Sequence, residues 1–177
     1  MPLHFENRFA HCPSCGGRLA PRVVKAGEPA RLVCNECEFV YYQNPKMAAA
    51  VIVTHEERVV LLRRSIEPGF GKWVFPGGYV DLGERVPDAA RREAHEEACV
   101  EVHIEALLNV YSYPERPVAV VVYTGRILAG VPAAGDESSE VGLFALDSIP
   151  WDELAFPSTR DALRDFVTLM TGRPTPP

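Results

Sequence analysis

Three glutamates crowd into five positions of the stretch "RREAHEEACV": Glu93, Glu96 and Glu97. Like charges so close raise each other's free energy, so the crowding asks for a cause. On an α-helix successive residues turn by about 100°, which gathers all three carboxylates on one face roughly 100° wide. Arg92 flanks that face at i,i+4 from Glu96, while Arg91 and His95 point away. A solvated acidic face is one reading. The other is a divalent cation site, because clustered hard oxygen ligands are what Mg²⁺ or Mn²⁺ takes. Just upstream, "FPGGYVDLGE" holds Gly77 and Gly78, where backbone can approach a bound group closely.

A second set of residues points to different chemistry. Cys12 and Cys15 form "CPSC", and Cys34 and Cys37 form "CNEC". Two such pairs, eighteen residues apart, fall in the spacing range of a zinc ribbon. Each pair is a tight knuckle that turns two thiolates toward one point, and Gly16 and Gly17 suit that turn. Four protein ligands leave no open position, so the zinc is expected to be structural. About 45 residues bury too little surface to fold unaided, so the metal would supply folding energy. Cys99 is left over, and reads as a small buried residue rather than a nucleophile.

These sites need elements to hold them. "VPDAARREAHEEA" has no breaker after Pro87, and Pro87 and Asp88 are helix-start residues, so a helix is expected over 86–98. Ala90, Ala94 and Ala98 form a small apolar stripe for close packing on a sheet. "KMAAAVIVT" and "RVVLLRR" read as strands of a hairpin around "HEE". "WVF" reads as one short strand inside a Gly/Pro-rich loop. "VEVHIEALLNVYSY" and "PVAVVVYTGRIL" are strands by composition, "VPAAGDESSE" a loop and "VGLFAL" a short strand. "TRDALRDFVTLM" spaces Leu163, Phe166, Val167 and Met170 on one helical face. The expected fold class is α+β, two helices on a mixed sheet. The expected divisions are 1–45 for the cysteine module, 46–171 for the main domain and 172–177 for a disordered tail.

Composition narrows the function classes. The chain has 177 residues, 47% hydrophobic and 24% charged, with net charge −6. These proportions suit a globular protein with a real core. The acidic balance argues against nucleic-acid binding as the main task. No apolar run is long enough to span a bilayer, so no membrane partner is expected. No basic stretch followed by an apolar run marks a secretory signal, so the cytoplasm is the default expectation.

Together these residues resemble the Nudix box: G, five residues, E, seven residues, then R-E-U-x-E-E-x-G-U, where U is a bulky aliphatic residue. Here it reads Gly78, Glu84 and Arg92-Glu93-Ala94-His95-Glu96-Glu97-Ala98-Cys99-Val100. Every charged position matches. Ala94 replaces a larger aliphatic residue and Cys99 replaces the final glycine. A zinc ribbon, then "YYQNPK", the box and "LFALDSIPWDELAFPS", is similar to the zinc-ribbon Nudix subgroup of plant FAD diphosphatases and bacterial relatives. NADH pyrophosphatases share the ribbon, but their Ser-Gln-Pro-Trp-Pro-Phe-Pro run is replaced here by "VYSYPERPVAV".

The resemblance implies a Nudix α/β/α sandwich behind a small zinc ribbon. It implies Mg²⁺- or Mn²⁺-dependent hydrolysis of a nucleoside diphosphate linked to another moiety, with FAD, ADP-ribose or NAD(H) as the expected substrates. Glu93, Glu97 and Glu96 would hold the metal, with the Gly78 carbonyl adding to them. Glu84 and Arg92 would form an orienting pair. A general base outside the box is expected at Glu140, with Glu137 the other candidate. Arg63, Arg64 and Lys72 could meet phosphate. Tyr111, Tyr113, Phe75 and Phe156 could flank a base, though for each of them core packing is the favoured reading. The family also allows a homodimer. The competing reading is a ligand-sensing Nudix-like protein without hydrolysis. That reading predicts lost glutamates and an added basic domain, and here all three glutamates are present.

Overall fold

The structure is a computed structural model and describes residues 9–114 and 116–173. The chain divides into two compact units, Met1–Pro45 and Lys46–Pro177. Residues 174–177, most of the tail expected to be disordered, lie outside the described residues; Gly172 caps the last helix.

The first unit is a three-stranded antiparallel sheet, β1 (Leu19–Arg22), β2 (Arg31–Cys34) and β3 (Val40–Tyr41), in that order. No strand was expected there. The strands are two to four residues long, too short for their composition to signal them.

The second unit is built on a mixed sheet. Its strands are β4 (Lys46–His55), β5 (Arg58–Arg64), β6 (Trp73–Val74), β7 (Gly77–Tyr79), β8 (Glu101–Ser112), β9 (Val118–Ala129) and β10 (Ser138–Phe144). The order is β10-β5-β4-β9-β8, and β4 runs parallel to β9. Two helices, α1 (Val86–Ala98) and α2 (Pro157–Thr171), cover opposite faces. The alternation along β4 shows why its apolar run is unbroken. Ala49, Val51 and Val53 pack with α1, while Ala50 and Ile52 pack with α2. This is the α/β/α sandwich expected.

The expected hairpin of β4 and β5 is real but brief, with registered pairs only at Thr54–Val59 and His55–Arg58. Beyond these, β9 holds one edge of β4, so β7 takes the other edge from Ala48 to Ala50. The glycine pair expected to be loop is therefore strand. Glycine carries low strand propensity, and tertiary pairing overrides it. A Cβ at Gly77 would overlap Ala50, so only glycine permits so close a pairing.

Helix α1 has the bounds expected, and Ala90, Ala94 and Ala98 are fully buried against the sheet. Its exit corrects the reading of Cys99. That residue is exposed, and it adopts the left-handed conformation (φ 57°, ψ 31°) ordinarily given to glycine. Its N–H bonds back to the His95 carbonyl at 3.1 Å, as in a left-handed cap. The helix exit is thus kept and the strain accepted. Cys99→Gly is expected to stabilise the protein by about 1 kcal/mol, less the entropy glycine adds to the unfolded chain. A thermal melt checks this, with a rise of about 2–4 °C at most expected for this size.

Candidate active site

The box arginine organises the acidic face. Arg92 donates from Nε and Nη2 to the two carboxylate oxygens of Glu84 at 2.9 and 3.0 Å. Its Nη1 reaches Glu93 at 2.7 Å and Glu96 at 3.0 Å, and Nη2 also reaches the Tyr79 carbonyl at 3.1 Å. One planar guanidinium thus ties the loop after β7 to the helix that carries the glutamates. The paired guanidinium holds the Glu84 carboxyl below its usual range.

Glu93 and Glu97 are sheltered and Glu96 is not. The Glu97 residue is 7% exposed, and its carboxylate accepts the Gly77 N–H at 2.9 Å. Burial pushes its carboxyl up to about 7, against that N–H and with the help of nearby Glu93 and Glu137. Burial also pushes Glu93 up, while the Arg92 hydrogen bond pulls the other way. Glu96 lies half exposed at the side. Gly78 makes room for this face, since a Cβ there would overlap the Glu93 carboxylate.

Glu93 and Glu97 open into a cavity of about 700 Å³. Its walls come from Ala48–Ala50 of β4, Gly77–Tyr79 of β7, the start of α2 and the turn between β8 and β9. Glu137, Arg64, Tyr113, Phe75 and Phe156 also line it. Arg64 is fixed there: its Nε donates to the Pro68 carbonyl at 2.8 Å, and its guanidinium stacks over Phe156. Asp81, Arg116 and Thr159 line the cavity too. Sequence reading missed all three, because lone residues at turns and helix starts carry no pattern.

Four residues expected at the site stand elsewhere or act otherwise. Glu140 lies within β10 rather than before it, since the strand begins at Ser138. Val141 packs with the α1 core, so Glu140 points to the opposite face, where it pairs with Arg63 at 3.2 Å. Arg63 is consumed there as well: it also donates to the Gly71 carbonyl and lies over Trp73. Tyr111 is buried in the α2 core and donates its hydroxyl to Asp165 at 2.6 Å. The fourth is the Gly78 carbonyl. Val51 donates to Pro76 and Val80 to Met47 across β4 and β7, so the ladder's alternation makes Ala49 and Gly78 the bonded pair between them. The Gly78 carbonyl therefore faces β4. The Gly77 backbone faces away from the ladder, as its N–H bond to Glu97 shows.

The residues present fit a divalent cation. Three carboxylates, Glu93, Glu97 and Glu137, line one cavity, where burial first and then the neighbouring carboxylates disfavour the charges of Glu97 and Glu93, which a cation would relieve. They are gathered more loosely than the cysteines. Among the described residues, only the sulfurs of Cys12, Cys15, Cys34 and Cys37 converge within 4.8 Å. Sulfur separations of 3.3, 3.5 and 3.7 Å approach the ~3.8 Å edge of a zinc–thiolate tetrahedron.

Comparison with known proteins agrees with both halves. The NUDIX domain family matches residues 44–166, and the Nudix N-terminal zinc-ribbon family matches residues 10–43. A NUDIX hydrolase structure from Nitrosomonas europaea is 34% identical, covering 94% of this chain and 96% of that one, with a TM-score of 0.86. The ADP-ribose pyrophosphatase of Methanocaldococcus jannaschii is 31% identical over 135 residues, 74% of this chain and 78% of that protein. The NAD-capped RNA hydrolase NudC of Stutzerimonas stutzeri is 27% identical over 97% of this chain, which spans 60% of that protein's length. No helix among the described residues is long and apolar enough to cross a membrane. With ribbon and catalytic domain matched in tandem, and the box glutamates of one helix tied through Arg92 to Glu84, the chain belongs to the Nudix hydrolase family.

Proposed function

We infer that the protein is a Mg²⁺-dependent pyrophosphatase that cleaves the diphosphate of an ADP-containing substrate such as ADP-ribose, FAD or NAD(H). The observation that carries this reading is one cavity lined by the carboxylates of Glu93, Glu97 and Glu137 together with the guanidinium of Arg64. Its volume is in the range of sites that enclose a small ligand. A diphosphate would otherwise be repelled by this acidic wall. When bound, the cation neutralises phosphate charge and lowers the pKa of attacking water.

The residues then divide the work. Glu93 and Glu97 hold the cation, Glu96 supports it through water, and the Gly77 carbonyl replaces Gly78 as the backbone donor. Arg92 and Glu84 lock the helix to the loop, so the carboxylates keep their aim. Arg64 binds a phosphate oxygen. Phe156 and Tyr113 flank the nucleoside. Glu137, in the cavity, takes the proton of the attacking water in place of Glu140. The ADP-ribose pyrophosphatase relative supports this choice of substrate.

The test is hydrolysis of ADP-ribose, FAD, NADH and NAD-capped RNA with Mg²⁺, with chromatography following AMP from the small molecules and nicotinamide mononucleotide from the capped RNA. ADP-ribose or FAD is expected to be preferred. Preference for the capped RNA would overturn the small-molecule reading, and turnover of none would favour a binding protein. Within the same assay Glu137→Gln is expected to lower kcat by about 10²–10⁴, the usual contribution of a general base. Glu140→Gln, on the far face, is expected to stay within about threefold of wild type. The reverse pattern would return the base to Glu140.

A further inference from the structure

We propose that the segment 131–137 is a rigid clamp, and that Gly135 is the positioning residue that holds Glu137 at the metal face of α1. This rests on the role given to Glu137 above.

A helix leaves its last carbonyls without intrahelical partners. Here the segment supplies them. The Ala133 N–H donates to the Ala98 carbonyl at 3.0 Å, and the Gly135 N–H donates to the Glu97 carbonyl at 3.0 Å. Glu97 thus offers its side chain to the cavity and its carbonyl to the clamp. The approach is so close that a Cβ on Gly135 would coincide with the Glu96 carbonyl oxygen. The requirement for glycine is one of space, since Gly135 is not among the residues at positive φ. On the far side, the Ser65 N–H at the end of β5 donates to the Glu137 carbonyl at 2.9 Å, and Ser138 closes a turn onto Gly135 at 3.2 Å. Glu137 is therefore pinned to α1 through Gly135 and to the end of β5 directly.

The segment contributes nothing to either core. Its residues are exposed or partly exposed, and neither core cluster includes one. Its place is set by backbone bonds and one close contact. A side chain at Gly135 would lift it from α1 without emptying the core, so activity and stability should respond differently.

In Gly135→Ala, kcat with Mg²⁺ is expected to fall about 10- to 100-fold, the cost of a displacement of about 1 Å at a reacting group. KM is expected to change by less than about threefold, because Arg64 keeps its own anchors, the Pro68 carbonyl and the Phe156 ring, when the segment shifts. Adding Glu137→Gln to Gly135→Ala should cost little more, since both act through one carboxylate. A second readout needs no metal. Amide hydrogen exchange in the metal-free protein should speed up at Ser65 and at position 135 in Gly135→Ala, with Val51 in β4 unchanged. Ala133→Pro, which removes the donor to Ala98, should reproduce the faster exchange. Unchanged protection at Ser65 in both variants overturns the clamp. Lost protection with wild-type kcat overturns its role in positioning. If Glu137→Gln alone keeps wild-type kcat, the assignment of the base has failed, and exchange at Ser65 decides the clamp by itself.

Discussion

Glu97→Gln is expected to remove at least about 10³ of the Mg²⁺-dependent rate while making the metal-free protein more stable at pH 8. The first effect follows from the charge at the reacting phosphorus. A bound cation is worth several kcal/mol of transition-state stabilisation, and each 1.36 kcal/mol is about a factor of ten in rate. Glutamine still accepts the Gly77 N–H, so the loop and helix keep their bond, but it supplies no charge to hold the cation. The second effect follows from burial. The Glu97 carboxyl rises to about 7 in the folded protein from a usual value of 4.5. A folded pKa above the unfolded one means the folded state holds the proton more tightly. The stability this gives is fully present below about pH 4.5 and is lost as pH rises through 7. At pH 8 wild type carries the buried charge and Glu97→Gln does not, so the variant should be more stable by on the order of 2 kcal/mol and melt higher. At pH 5 the difference should nearly vanish. Mg²⁺ should raise the wild-type melting temperature more at pH 8 than at pH 5, and leave the variant nearly unmoved. Near-wild-type turnover in the variant would show that Glu97 does not hold the metal.

The glutamate trio was legible because its spacing is helical, and α1 carries Glu93, Glu96 and Glu97 together as the 100° turn requires. The unbroken apolar run of β4 marked a strand, and its burial on both faces, which such a run permits, emerged with the two helices. What could not be read were features set by strand parity and pairing. Glu140 and Glu137 stand three residues apart beside a bulge in β10, and only the observed register sends one to Arg63 and the other to the cavity. Gly77 and Gly78 are identical residues. Which carbonyl faces the site depends on the ladder with β4, which no local signal announces. Tyr111 and Tyr113 both donate to aspartates of α2, yet only Tyr113 reaches the cavity. Cys99 reversed an inference from composition. The family's glycine conformation was kept and the side chain turned outward, so the backbone demand outlasted the residue that usually meets it.

Zinc removal is expected to unfold the ribbon and leave the sheet unit folded. Cys34 is the best place to test this. It is fully buried at the end of β2, and its sulfur lies 3.5 Å from that of Cys15 and accepts the Glu36 N–H at 3.4 Å. A Cβ at Gly17 would overlap the Glu36 side chain and crowd the Cys34 sulfur, so the knuckle is closely packed beside this thiolate. The other apolar residues buried there are Cys12, Leu32 and Val33, too small a core to offset the ordering of residues 9–45. Zinc binding to such modules is worth about 10–16 kcal/mol at neutral pH, and it is coupled to their folding. Cys34→Ser should therefore lose its stoichiometric zinc by metal analysis, and amide protection of β1 and β2 should collapse. Val51, Val122 and Leu163 sit in the other unit's own cores, so their amides should keep wild-type protection, and a strong chelator should reproduce the pattern in wild type. Zinc retained in Cys34→Ser would sink the site. Loss of protection at Val51 together with β2 would instead mean that the sheet unit depends on the ribbon for its stability, against the separate cores on which this expectation rests.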